Sequence, residues 1–353
     1  MDTNLLKEAI LKNQPTFELL KQGIACKSCV PPKYEYPYSG RPPEYYNRRF
    51  ERLRIFLSVK ARFAFASHQY QEAIENCIML FHFGDRLLQY PSSYMLFLSG
   101  IQMKEESLII MRKLICTPDL PESLFKQLAA LLDQQETSSE AAVHFIKVER
   151  GAIFGAVEET YREEWSKNRG EWKFLFTTFH LKPNTTKQML LPYYRQMISS
   201  VPLPFAEAIK IAFKNDFSAP DNVIGRYLCP NREGLSFCRR AIYERHSLSR
   251  DLAIIRNQFS AMRIAIAYQR YLKKERHPPE SLDDLVPAYM TAVPQDAFDG
   301  QPFRYLPKEK ILYSVDEDLK DSKAVWWTEG KSWEENRDRV YPLTPDARPK
   351  PAP

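Results

Sequence analysis

Four cysteines and a set of aspartates have the types and spacings that could do chemistry. Cys26 and Cys29 stand in CKSC, the interval of a redox dithiol or of half a zinc site, since two thiolates so placed can grip one metal. Two further ligands at comparable spacing are missing, and the motif lies in a Pro/Tyr-rich stretch, not at a strand-to-helix junction. A structural disulfide or free thiols are the competing readings. Cys229 and Cys238 bracket CPNREGLSFC, which reads as a loop that a disulfide could close in an oxidising compartment. Asp316, Asp318 and Asp321, with Asp296 and Asp299 close by, gather hard oxygen ligands of the kind that suits calcium. Against that, Asp is a favoured turn residue in its own right, and DEDLKDSK has no glycine and carries lysines among its acids.

Other chemistries find no pattern. The six histidines (His68, His82, His144, His180, His246 and His277) include no pair at the i, i+4 spacing that puts two ligands on one helical face. There is no GxSxG, Walker A or Rossmann fingerprint. The acidic pairs Glu105–Glu106, Glu158–Glu159 and Glu163–Glu164 are adjacent, so they point around a helix and not at one substrate. No catalytic residue is nominated, and no cofactor other than calcium.

The elements that must position these residues are mainly helical. Glycine is scarce, at 11 of 353 residues, and proline plentiful, at 26, which argues for helices with firm punctuation and against a Gly-rich phosphate cradle. From Asn4 to Gln22 one or two short helices break near Pro15. Phe50, Leu53, Leu57, Ala61, Ala64 and Phe65 recur at three and four, as a buried helical stripe does. After a turn at Ser67–His68–Gln69 comes a second helix carrying Ala73, Ile74, Cys77, Ile78 and Phe81. The pair resembles a tetratricopeptide unit, although no 34-residue period follows. Further helices are expected over Pro91–Ile115, Leu124–Asp133 and Ala141–Arg162. A short one is expected between the proline breaks of VPLPFAEAIKIAFKNDFSAP, and a long one over Arg250–Lys274 with the stripe Leu252, Ile255, Phe259, Met262 and Ile266. A DAFDGQPFRY turn, an LYSV strand and a last strand at Arg339–Pro342 complete the pattern.

The charge balance is mildly basic, +6 with a pI near 8.8. Lysines and arginines are interleaved with acids along the chain, which does not make the concentrated surface a nucleic-acid partner needs. No run of about 18 apolar residues is present. Six cysteines in 353 residues are too sparse for a disulfide scaffold.

With those residues in view, YQRYLKKERHPPESLDDLV, PQDAFDGQPFRY, LYSV and the acidic loop after it resemble the globular part of type II secretion pseudopilins. That resemblance implies a helix serving as a stem, a hairpin packed on it and a calcium-binding loop. Nearly the whole chain is similar to an uncharacterised family of planctomycete-type bacteria. The matching pieces are ILKNQPTFELLKQG, Cys29 to Tyr38, ARFAFASHQYQEAIENC, LFLSGIQMKEESL, LPESLFKQLAALL and RVYPLTP. The family supplies no activity to transfer. Its members commonly carry an N-terminal membrane anchor, so any membrane attachment is expected through such a segment upstream of Met1.

The expected fold is mostly α. An irregular helical repeat or bundle over residues 1–248 precedes a small α+β pseudopilin-like module over 249–342, a long helix plus a short antiparallel sheet, and a disordered Pro-rich tail over 343–353. The expected function is a non-enzymatic interaction or scaffold protein of the bacterial cell envelope, related to secretion or pili, with protein partners and no nucleic acid. A cytosolic helical adaptor is the alternative. A metal- or thiol-dependent enzyme using the C-terminal aspartates or Cys26 and Cys29 is the second.

Overall fold

The expected break near Pro15 falls at Asn13, between α1 (Thr3–Lys12) and α2 (Gln14–Ala25), and Pro15 sits in the first turn of α2, where its missing N–H costs nothing. The computed structural model describes residues 3–26, 44–89, 94–118, 120–133, 139–167, 179–211, 229–324 and 338–347. The helices continue as α3 (Glu44–Ala66), α4 (Tyr70–Gln89), α5 (Tyr94–Ile115), α6 (Glu122–Asp133) and α7 (Ser139–Lys167). They end with α8 (Pro183–Ser200), the single turn α9 (Phe205–Ala208) and α10 (Arg232–Glu275). A 3-10 turn at Leu282–Leu285, closed by a Ser281–Asp284 capping box, leads to β1 (Arg304–Leu306), β2 (Ile311–Val315) and β3 (Asp338–Pro342). These form an antiparallel sheet in the order β1-β2-β3, with Arg304 opposite Tyr313 and Tyr313 opposite Val340. The chain is therefore mostly helical with one small three-stranded sheet.

Small residues set the helix spacing. α4 and α5 cross where Gly84 meets Gly100. A Cβ on Gly84 would stand 2.7 Å from the Gly100 carbonyl oxygen, and one on Gly100 would stand 2.8 Å from Leu88 Cγ. Backbone contact of that kind needs glycine on both helices. Ala61 and Ala64 of α3 share the resulting core with Ala73, Ile74 and Cys77 of α4, all at most 1% exposed.

α10 differs from the stripe reading in two ways. It begins at Arg232 and runs 44 residues, ~66 Å at 1.5 Å per residue, through residues 248 and 249 where the sequence suggested a boundary. It is also buried on more than one face. Leu252, Ile255, Phe259, Met262 and Ile266 are buried as expected, and so are Ala253, Ile254, Ala261, Ile264, Ala265, Ala267 and Tyr268. The stretch CPNREGLSFC is thus not a loop. Asn231, at φ 60°, turns the chain into α10, and its side-chain oxygen accepts from Lys182 N (2.8 Å) and Thr186 Oγ1 (3.0 Å) at the start of α8. One apolar cluster extends from Ala61 to Leu343. Leu343, the first residue of the expected tail, is fully buried, and Ala347 packs on the sheet.

Candidate functional site

The DAFDG turn places Asp296 against α10 and β2. Gly300, at φ 76°, lets the turn close, with Gly300 N donating to Asp296 O at 2.8 Å. The Asp296 carboxylate has no exposure and accepts from five donors. These are Asn257 Nδ2 (2.8 Å), Ser314 Oγ (2.8 Å), Phe298 N (2.9 Å), Val315 N (3.0 Å) and Arg304 Nη1 (3.3 Å). Asn257 Oδ1 in turn accepts from Ala297 N at 2.7 Å. Arg304, which the sequence did not single out, also binds Asp299 at 2.5 Å and faces Asp321 at 3.6 Å. A carboxylate this fully supplied with donors is a staple between helix, turn and strand.

The three expected calcium ligands are not brought together as a coordination set. Asp316 accepts from Arg339 Nε at 3.1 Å and Asp318 from Lys320 N at 3.1 Å. Asp321 accepts from Lys323 N, Lys323 Nζ and the Tyr313 hydroxyl at 3.0, 2.9 and 3.3 Å. Among the described residues no three His, Cys, Asp or Glu side chains converge as an ion requires. Asp338 closes the same loop from below, accepting from Ala324 N (2.7 Å) and Ser322 N (3.3 Å). Burial pushes its carboxyl up to about 6 against those two hydrogen bonds.

The cysteines are also apart. Cys229 and Cys238 are both free: Cys238 is fully buried in α10, while Cys229 lies before the helix and only partly covered. The loop that a disulfide could have closed is a helix start, which turns Cys238 into the core. Cys26 is free and exposed at the end of α2, and Cys29 lies outside the described residues. Burial pushes the Cys116 thiol up to about 12 and the Cys238 thiol to about 11, which removes the thiolate that reactivity needs.

Buried charges between α5, α10 and β3 bolt the sheet to the helices. Arg112 donates to Gln258 Oε1 at 2.9 Å and stacks 4.8 Å from the Tyr341 ring. Gln269 Nε2 donates to Leu343 O at 2.8 Å. Lys104, 2% exposed, pairs with Asp85 and lies over the rings of Phe81 and Phe259 at 4.5 and 5.3 Å.

Among the described residues an open cleft of about 760 Å³ lies at the other end, inside the ~300–1,000 Å³ range of ligand sites. Asn76 and Met79 of α4 form its buried floor, α2 one wall, the start of α6 the other, and the α3–α4 turn its head. α2 runs in the same direction as α4. Lys60, beside Glu72 at 3.5 Å, sits 4.0 Å over the Phe17 ring, and Arg86 reaches Ile24 O at 3.1 Å. At the head His68, at φ 58°, bonds through Nδ1 to the Tyr70 hydroxyl at 2.9 Å. The sequence marked the turn and the helix pair but not the cleft, whose walls come from elements far apart in the chain.

No protein-family model matches this chain, and neither a curated protein nor a solved structure is significantly similar to it.

Proposed function

We propose that the protein is a non-enzymatic interaction or scaffold protein of the bacterial cell envelope. The observation that carries this reading is an open, polar cleft mounted on a frame whose charged interior groups are engaged in holding the frame together. Asp296 and Arg112 each bond between elements distant in sequence, and Lys104 ties α5 to the preceding α4, which favours a fixed shape presented to a partner. The assignment to the envelope, and to secretion or pili, rests on the resemblance of α10 and the sheet to a pseudopilin stem and hairpin. The α3–α4 pair as a tetratricopeptide-like unit belongs to the same reading, since helix pairs of that kind build binding surfaces.

The test is cross-linking of the native, untagged gene product in intact cells, with protease accessibility before and after the outer envelope is opened. A discrete cross-linked species, protected in intact cells and digested once the outer envelope is opened, is the expected result. Protection until the inner membrane breaks, with a cross-linked partner, would transfer the reading to a cytosolic adaptor. Absence of any cross-linked partner in either compartment would end it.

A further inference from the structure

α2 is anchored to the rest of the protein by one aromatic side chain. Phe17 has no exposure, Leu20 and Ile24 are half-buried, and every other residue of α2 is exposed. The three lie at i, i+3 and i+7, on one face of the helix. Phe17 stacks on the Phe56 ring of α3, with centroids 4.9 Å apart and planes at 10°, and the Lys60 ammonium lies 4.0 Å over the centroid of its ring. Arg86 of α4 donates to Ile24 O at 3.1 Å. These contacts fill a groove between α3 and α4 walled by Leu53, Phe56, Leu57, Met79, Phe83 and Leu87. The groove forms an apolar cluster separate from the main core, so its occupant is not what holds α3, α4 and α5 together.

As a helix α2 is weakly built. It has twelve residues, and isolated helices of that length are marginal in water. The Asn13 side chain makes no capping bond, and α2 has neither an acid in its first turn nor a base in its last. A Cβ on Gly23 would meet nothing within 4 Å, so this glycine lowers helix stability without making room for a neighbour. Seventeen residues separate Cys26 from Glu44, so α2 can leave the groove without moving α3.

A short helix seated by an aromatic and two aliphatic side chains between two other helices has the geometry of helix-in-groove recognition. We propose that the α3–α4 groove is a partner-binding surface for an amphipathic helix, one with an aromatic residue followed by aliphatic residues three and seven positions later, and that α2 is the built-in competitor such a helix displaces. The seat selects an aromatic over an aliphatic side chain, because it offers a ring to stack on and an ammonium to the ring face. Displacement also opens the cleft, one wall of which is α2. This rests on the interaction-protein reading above and names the chemistry of the partner.

The experiment measures binding of a fluorescent synthetic peptide, residues 3–25 of this chain, to the full-length protein and to its Phe17→Ala variant. Losing the anchor frees the groove, and the separate main core keeps the variant folded, checked by its melting curve. The expected result is saturable binding to Phe17→Ala and binding at least tenfold weaker to the wild type, where the attached α2 competes. Phe17→Leu in the peptide should weaken its binding about tenfold, and Phe17→Ala in the peptide should abolish it. No binding to the variant, equal binding to both proteins, or indifference to the peptide residue at position 17 would each overturn the assignment. Should the variant fail to fold, hydrogen exchange on the wild type decides. The α2 amides should exchange through local opening far faster than those of α4, and equal protection would overturn the proposal. A cellular partner still cross-linked to the native protein, alongside a failed peptide experiment, would sink the groove and leave the interaction reading standing. Absence of any such partner as well would sink both.

Discussion

Replacing Asp296 tests whether the sheet is held to α10 by one buried carboxylate. In Asp296→Ala, Arg304 keeps Asp299 at 2.5 Å and the Ser314 hydroxyl turns its proton to Val315 O at 2.7 Å. Phe298 N, Val315 N and one Asn257 N–H lose their acceptor in a site with no solvent exposure. Each buried orphan costs ~1–3 kcal/mol, and removing one partner of a buried charged pair costs ~3–5 kcal/mol. These describe overlapping losses, so about 4 kcal/mol is expected in total. At ~2.1 cal/mol/K per residue, 353 residues give an unfolding entropy of ~0.74 kcal/mol/K, and Tm falls by about 5 °C. Asp296→Asn keeps one oxygen and turns the other into a donor facing a donor, so about half that loss is expected. Urea unfolding followed by circular dichroism reads the energies, and hydrogen exchange at residues 311–315 reads the local effect. Both variants within ~1 kcal/mol of the wild type, with the β2 amides still protected, would refute the staple.

Three further outcomes follow from particular contacts. Phe259→Ala should cost ~3–5 kcal/mol in the same urea assay, because Phe259 is 1% exposed and meets Phe81 edge-on at 5.9 Å. Gly84→Ala should cost ~1–3 kcal/mol, since its Cβ would sit 2.7 Å from the backbone oxygen of Gly100. A variant as stable as the wild type would mean that α4 and α5 can separate freely. For Asp338, burial raises the folded carboxyl to about 6, above its unfolded value of ~3.9. Between those values the folded state holds a proton that the unfolded state has released, so this group makes stability fall as pH rises from about 4 to about 6, and contributes no slope above that. Subtracting the Asp338→Asn stability profile from that of the wild type should isolate this falling limb. A flat difference over that window would rule the coupling out.

Periodicity carried most of the helical plan, because a helix that buries one face leaves a three-and-four pattern in its sequence. α3 and α4 are legible for that reason, and the turn at Ser67–Gln69 and the strands at LYSV and Arg339–Pro342 are legible from local residue types, whereas β1 lies in a stretch that reads as a turn. The full length of α10 is not legible because its first turns are charged and CPNREG carries turn residues. Those residues begin the helix: Asn231 supplies the left-handed turn, and a Cβ on Gly234 would stand 2.1 Å from Thr186 Oγ1. Both facts depend on α8, some 45 positions earlier, and local sequence cannot register them. The aspartates were legible as a cluster but not as a staple, since the partner of Asp296 is Asn257. That residue lies off the apolar stripe that defined the helix. The cleft was not legible at all, because α2, α4 and α6 meet only in three dimensions.

The polar residues inside α10 explain how so apolar a helix holds a single arrangement. Apolar packing is non-directional, and a helix buried on several faces could slide or rotate against its neighbours at modest cost. Asn257, Gln258 and Gln269 remove that freedom. Asn257 bonds the turn before β1, Gln258 bonds Arg112 of α5, and Gln269 bonds the carbonyl after β3. The outermost two lie ~18 Å apart along the helix, so the sheet is held near both ends and α5 in between. A one-residue slip would break all three sets at once and leave amides and a guanidinium unpaired in the core. α5 in turn meets α4 at the Gly84–Gly100 crossing, and α4 provides the floor of the cleft. The position of Asn76 and Glu75 is therefore fixed through α5 to the same polar contacts that register the sheet. This is the physical requirement for a surface that presents a fixed shape to a partner, where rigidity cuts the ordering cost of binding.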